Sequence, residues 1–207
     1  MSLKKILNNY LGEFKTEITL EQDLARFFLS HKHAHSLSHS LEVASEAETL
    51  AKRFQCNPTK AKIAGYLHDI SAVVPNSDRI ALSEQLGIDI LKEERALPMI
   101  IHQKLSVVIA RELFEIKDSE ILSAIACHTT LKAKSSVLDK VVFVADKIRW
   151  DGTGQAPYLN GVLEALDNSL DAACFYYINY LYKQKNKLKV IHPFLAAAYH
   201  ELKIHQY

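Results

Sequence analysis

The chain has 207 residues, of which 48% are hydrophobic and 24% charged, an ordinary globular balance with enough length for one sizeable core. Its 25 lysines and arginines meet 24 acids, a formal charge of +1, so bulk attraction to nucleic acid or anionic membrane is excluded as the basis of function. No window approaches the ~18 apolar residues of a membrane span, nothing reads as a signal peptide, and three scattered cysteines without a C-x-x-C pair read as free thiols, so a cytoplasmic protein is expected.

Only six glycines and five prolines interrupt helix-period apolar patterns, which predicts an all-α fold. An amphipathic helix is expected over about 2–15, and "TLEQ" opens a second to about Ser30, with Thr19 and Gln22 as a capping box. A third covers about 35–54. "CNPTKAKIAGYLHDIS" starts another, with Asn57 as N-cap and Pro58 at the first helical position. "NSDRIALSEQLGI" predicts a short helix stopped by Gly87, followed by helices over about 98–114 and from Asp118 to about His128. "SSVLDKVVFVADKI" is ambiguous at "VVFVA", which could pass for a buried strand; the serine cap and the lack of a partner strand favour helix to about Arg149. "WDGTGQAPYLNG" reads as a loop before helices of about 160–186 and 193–204. Residues 1–30 read as an N-terminal helical extension and 31–207 as the main unit, a single domain overall.

Four of the ten histidines crowd into "HKHAHSLSHS": His31, His33, His35 and His39. His39 lies on the stripe Val43, Ala47, Leu50, Phe54 of its helix, so it points where that helix is apolar. His102 shares a face with Leu105, Ile109 and Leu113, and His128 ends the stripe Ile121, Ala124, Ile125. His68 continues the stripe Ala61, Ala64, and Asp69, next to it on a helix, leaves about 100° away. Asp146 lies one turn beyond Val142. Each residue alone reads as a satisfied core group. Six inward ligand-type side chains in an all-α core have few backbone partners to share, and a common metal ion would satisfy them together.

The order His39, His68-Asp69, His102, His128, Asp146 resembles the H…HD…H…H…D pattern of the HD-domain metal-dependent phosphohydrolases, built on a helical bundle. More narrowly, "HSLEVA", "IAGYLHDIS", "DSEILSAIACHTT", "LDKVVFVADKI" and "IHPFLAAAY" resemble the YqeK-like group, which splits diadenosine tetraphosphate symmetrically into two ADP. The resemblance implies His39, His68, Asp69 and Asp146 as a primary metal site, His68 and Asp69 as catalytic, and His102 and His128 as ligands of a second metal or contacts to substrate phosphate. His35, one turn before His39, is the rival for the first ligand, while His31 and His33 are expected in a solvated turn. Iron is the metal the resemblance implies, with manganese, cobalt or nickel as alternatives, and one ion or two. Lys132, Lys147 and Arg149 are expected to bind substrate, Lys104 and Trp150 are further candidates, and the nucleotide is the expected partner, with a homodimer implied. Tyr176, Tyr177, Tyr180 and Tyr182 lie too close together for one face and suggest a core plus a self-association surface. The pattern departs at Ser36 and Gly152, where basic residues are usual, at Ala72, where lysine is usual, and at Arg149, where an acid is usual. Those departures keep open a smaller phosphate ester as substrate, or a non-catalytic scaffold.

Overall fold

A computed structural model describes residues 2–204. Among the described residues there are twelve α-helices: α1 (Leu3–Leu11), α2 (Leu20–Ser30), α3 (Ala34–Arg53), α4 (Pro58–Leu67), α5 (Arg79–Gln85), α6 (Lys92–Ala96), α7 (His102–Glu112), α8 (Ser119–Cys127), α9 (Val137–Ile148), α10 (Leu159–Asn168), α11 (Leu170–Lys183) and α12 (Pro193–Ile204). Three 3-10 turns accompany them, at Ile70–Val73, Pro98–Ile101 and Lys185–Lys187, and there is no strand among the described residues. The all-α expectation holds.

The caps act as their residue types dictate. Thr19 Oγ1 accepts from Gln22 N at 3.3 Å, and the Gln22 side chain accepts in return from Thr19 N. Asn57 accepts from Lys60 N at 3.1 Å, and Asp118 from Glu120 N at 2.9 Å. Ser136 and Asp139 cap each other's backbone, at 3.1 and 2.9 Å, and "VVFVA" is helix. Other expectations need correction. The long helix of 160–186 is two, because Ser169 is fully extended (φ −168°, ψ 163°) and its hydroxyl caps α11 through Ala172 N at 3.0 Å. The first helix stops at Leu11, where Gly12 turns left-handed (φ +85°). Proline at 98 opens a 3-10 turn before α7 begins.

Helices α3, α4, α8 and α9 pack on one another, with α7 against α8 and α11 against α9, α10 and α12. The core they enclose includes Phe27, Phe28, Leu67, Ile101, Leu105, Ile109 and Phe143, all fully buried. Each such side chain contributes roughly 1.5–3 kcal/mol relative to exposure. Residues of α1 and α2 belong to the same apolar cluster, and Phe14 and Phe114 both close on Phe27, at 5.1 and 5.5 Å between ring centroids. At Gly65 on α4 the helices approach closely: a Cβ there would lie 2.6 Å from Ala44 Cα on α3. With neither helix carrying bulk at that point, the two backbones touch, and the residues just beyond, His39 on α3 and His68 past the end of α4, are drawn together. Cys127 and Cys174 are buried free thiols, whose burial pushes their pKa up.

Candidate metal centre

His68 and Asp69 do not share a helix. α4 ends at Leu67, His68 is its C-cap, and Asp69 has left the helical region (φ −110°, ψ 20°). His128 likewise caps α8, and His102 opens α7. The three rings are set by one device. Nδ1 of each lies against the carbonyl three residues back: Gly65 at 2.8 Å, Met99 at 2.5 Å and Ile125 at 2.8 Å. Donation of Nδ1–H to those carbonyls leaves every Nε2 facing the centre.

There the groups converge. His39 Nε2 is 3.2 Å from His68 Nε2 and 3.2 Å from Asp146 Oδ1, and His68 Nε2 is 3.6 Å from that same oxygen. On the other side Asp69 Oδ1 is 3.1 Å from His102 Nε2 and 3.3 Å from His128 Nε2, while Asp69 Oδ2 is 3.7 Å from His68. Two sets with metal-ligand spacing result, His39–His68–Asp146 and His68–Asp69–His128, sharing His68. His39, His68 and His128 are buried, and a cavity of about 210 Å³ opens onto the cluster.

The donor set fits a cation. Nε2 of His102 and of His128 are 2.9 Å apart with both Nδ1–H groups committed elsewhere, so two lone pairs face one another. Asp69 Oδ1 is buried and has no aligned hydrogen-bond donor, although two imidazole nitrogens lie within reach. Buried acceptors so arranged repel unless a positive charge sits among them. Burial disfavours the His68 imidazolium, but Asp69 and Asp146 outweigh it and raise its pKa to about 9; His128, where burial dominates, is lowered to about 4. Burial would raise both carboxyls, yet the surrounding cationic groups hold Asp69 and Asp146 well below the usual range. Imidazole with carboxylate suits a first-row transition ion better than magnesium.

Of the residues expected to read substrate, Lys147 borders the cavity but is buried, its Nζ 2.5 Å from Asp146 Oδ2 and 3.3 Å from the His128 carbonyl, between the rings of Phe143 and Tyr177. Burial would depress this ammonium, and Asp146 more than offsets that. Lys132 does not border the cavity. Leu131, left-handed (φ 55°) and fully buried, turns the chain so that Lys132 reaches Ser123 at 2.5 Å and Asp139 at 3.3 Å. Arg149 lies on a neighbouring cavity and pairs with Glu46 at 2.7 Å. Lys104 is bound to the buried Glu94 at 2.8 Å, which also takes His192 at 3.3 Å. His35 is exposed on the neighbouring cavity, outside both ligand sets. His31 is not simply solvated: its ring nitrogens lie 2.8 and 2.9 Å from the carbonyls of Phe27 and Leu11, tying α2 to the end of α1.

Sequence reasoning missed Met99, Thr129, Tyr158 and Tyr177 as lining residues. Thr129 stands in the "HTT" motif, and its hydroxyl donates to His102 Nε2 at 3.1 Å. Tyr177 is one of four clustered tyrosines: it borders the cavity and, like Tyr180, meets Tyr158 (4.7 and 5.7 Å), while Tyr182 lies on Tyr199 at 3.9 Å and Tyr176 over Gly161.

Comparison with known proteins finds relatives in sequence and in fold. The chain is 50% identical over 144 residues to the uncharacterized protein in the pepC 5' region of Lactococcus lactis subsp. cremoris, covering 70% of this chain and 73% of that one. It is 28% identical over 179 residues to the symmetrical bis(5'-nucleosyl)-tetraphosphatase of Halalkalibacterium halodurans, covering 85% of this chain and 93% of that enzyme. The fold matches the crystal structure of a predicted HD superfamily hydrolase involved in NAD metabolism from Clostridium acetobutylicum, with a TM-score of 0.82 and 23% identity, over 91% of this chain and 100% of that one. The family model described as HD domain matches residues 36–151, more than half the chain and the span holding all six convergent side chains, and on that match the chain belongs to the HD domain family.

Proposed function

We propose that this chain is a metal-dependent phosphohydrolase that cuts dinucleoside tetraphosphates symmetrically, with diadenosine tetraphosphate yielding two ADP. The observation that carries the reading is the double ligand set about His68, with Asp69 turned toward both halves. A divalent transition ion held by His39, His68, Asp69 and Asp146, and a second by Asp69, His102 and His128, would supply Lewis acidity and a water of lowered pKa. The resemblance to the HD-domain phosphohydrolases makes iron first choice, with manganese, cobalt or nickel as alternatives.

The chain's own groups supply the rest. Asp69 Oδ1, buried and without a donor, would hold the second ion with His102 and His128 while Oδ2 faces His68, and the proton of the attacking water passes to solvent. Lys147 fixes Asp146 Oδ2, so that Oδ1 alone turns to His39 and His68. His102, His128 and the Thr129 hydroxyl face the cavity where phosphate oxygens would sit. The water oxygen bonds to one of the two central phosphorus atoms, the bond from that phosphorus to the oxygen bridging the two breaks, and two nucleoside diphosphates leave.

The relative from Halalkalibacterium halodurans carries the corresponding name, which supports the substrate choice. The changed positions Ser36, Ala72 and Gly152 favour a second reading, in which a mononucleotide or other small phosphate ester is cut at the same centre. Protein loaded with Fe, Mn or Co and offered a panel of nucleotides, dinucleotides and small esters decides. Diadenosine tetraphosphate should be turned over fastest, with ADP as the sole nucleotide product. Preference for a small ester selects the second reading, and no turnover of any compound overturns both.

A further inference from the structure

Trp150 is the sole tryptophan of the chain. It is 44% exposed and is not among the side chains packed on the apolar core. Its indole borders the metal-centre cavity and also the neighbouring cavity that holds His35 and Arg149. It stands edge-on to Tyr158 (6.1 Å, 88°), which stands edge-on to Tyr177 (4.7 Å, 81°), so three rings brace one wall. Met99, 50% exposed, borders the same cavity.

Gly152 explains how the indole comes to lie there. A Cβ at 152 would fall 2.2 Å from Trp150 Cζ2 and 2.4 Å from Cε2. The ring therefore rests on bare backbone, and no side chain at 152 is compatible with it. A tryptophan resting on glycine and 44% exposed at the cavity offers aromatic surface to whatever enters beside the phosphate-cutting centre.

Resting on the function proposed above, we propose that Trp150 is the stacking face for one nucleobase of the substrate, and that Gly152 is a specificity-determining position because it alone allows that seat. Planar heteroaromatic rings stack on aromatic side chains whatever the base, so the site would take purines and pyrimidines and ignore base-free phosphates.

With a single tryptophan, intrinsic fluorescence reads this contact directly. Titration with ADP should quench it saturably, while inorganic tripolyphosphate should not; no response to ADP, or an equal response to both, overturns the proposal. In turnover, Trp150→Ala should raise KM for diadenosine tetraphosphate ~10-fold or more, the size of one base stack, with kcat within about twofold. Trp150→Phe should recover most of the loss, and Gly152→Ala should reproduce it by unseating the ring. None of the three should change the inhibition constant of tripolyphosphate as a competitor of diadenosine tetraphosphate. An unchanged KM in Trp150→Ala, with nucleotides still cut, sinks the stacking role and leaves the proposed function standing. Wild-type protein that cuts no nucleotide yet is quenched by ADP sinks the function and leaves the stacking face.

Discussion

Gly65→Ala tests whether the α3–α4 contact sets the metal centre. The added methyl would sit 2.6 Å from Ala44 Cα and 2.9 Å from Ala44 N, both backbone atoms that no rotamer change can move aside. Carbon atoms rest at about 3.5–4.0 Å, so the helices must part by roughly 1 Å. Overpacking of that kind costs ~1–3 kcal/mol, against which the better helix propensity of alanine returns up to about 1 kcal/mol. A net loss of ~1–2 kcal/mol lowers Tm by about 2–8 °C for a chain of this size.

The functional loss should be larger than the stability loss suggests. His39 stands five residues before Ala44 and His68 three residues after Gly65, so the parting falls on the His39–His68 pair, now 3.2 Å apart. Metal–ligand distances tolerate only about ±0.2 Å. Chelator competition should give a ~10–100-fold weaker hold on Mn²⁺. Calorimetry of metal-free protein supplies the Tm. A variant that melts lower but binds Mn²⁺ as before would refute the claim that this crossing aligns the ligands. An unchanged Tm would refute the steric argument itself.

Three further outcomes are expected. Lys147→Met removes the buried partner of Asp146 and should destabilise metal-free protein by ~3–5 kcal/mol, with part of the loss recovered on adding Mn²⁺, whose charge replaces the ammonium; an equal loss with and without metal, read by melting, would count against that coupling. Asp69→Ala should drop bound metal below the wild-type stoichiometry in elemental analysis and abolish turnover, and retained stoichiometry would remove Asp69 from the ligand set. Asp23 tests the N-terminal junction by pH. Burial opposes its charge, but Arg26 at 2.7 Å and the N–H groups of Glu17 and Ile18 hold the carboxyl below its usual range. Its contribution is therefore full above the unfolded value of about 3.9 and fades as pH falls through the lower folded value. Asp23→Asn should lower Tm at pH 7 through loss of charge-assisted bonds, with the deficit closing below about pH 4; a deficit constant with pH would sink the assignment.

Much of the bundle was legible because caps and periodicity are local. Thr19, Asn57, Asp118 and Ser136 each start a helix by bonding backbone within three residues, and that chemistry is written in the sequence. The split at Ser169 was not legible, since the apolar period runs through both α10 and α11 and only the extended backbone of one residue divides them. The inward direction of the histidines followed from the apolar stripes they share. The basic residues are harder to place, and of Lys132, Lys147 and Arg149 only Lys147 borders the metal-centre cavity. Nearness in sequence to a ligand says little where the chain turns: left-handed Leu131 sends Lys132 away, and Arg149, one residue past α9, meets Glu46 on α3.

The adjacent pair His68-Asp69 makes the same point from the other side. On one continuous helix the two side chains would diverge by about 100° and serve different surfaces. The helix ends between them instead: His68 holds the last helical turn through Gly65, and Asp69 swings out with φ −110° and ψ 20°. That break lets two consecutive residues flank one point, His68 facing His39 and Asp146, Asp69 facing His102 and His128. Ala72 N bonds the Asp69 carbonyl at 2.8 Å, closing the 3-10 turn that keeps the chain there, and Ser71 is anchored to α7 through the His102 carbonyl at 2.8 Å. The turn that orients Asp69 is thus fastened to the helix that carries one of its partners. Carboxylate and imidazole keep their separation through backbone, and the centre needs no long side chain to find its place.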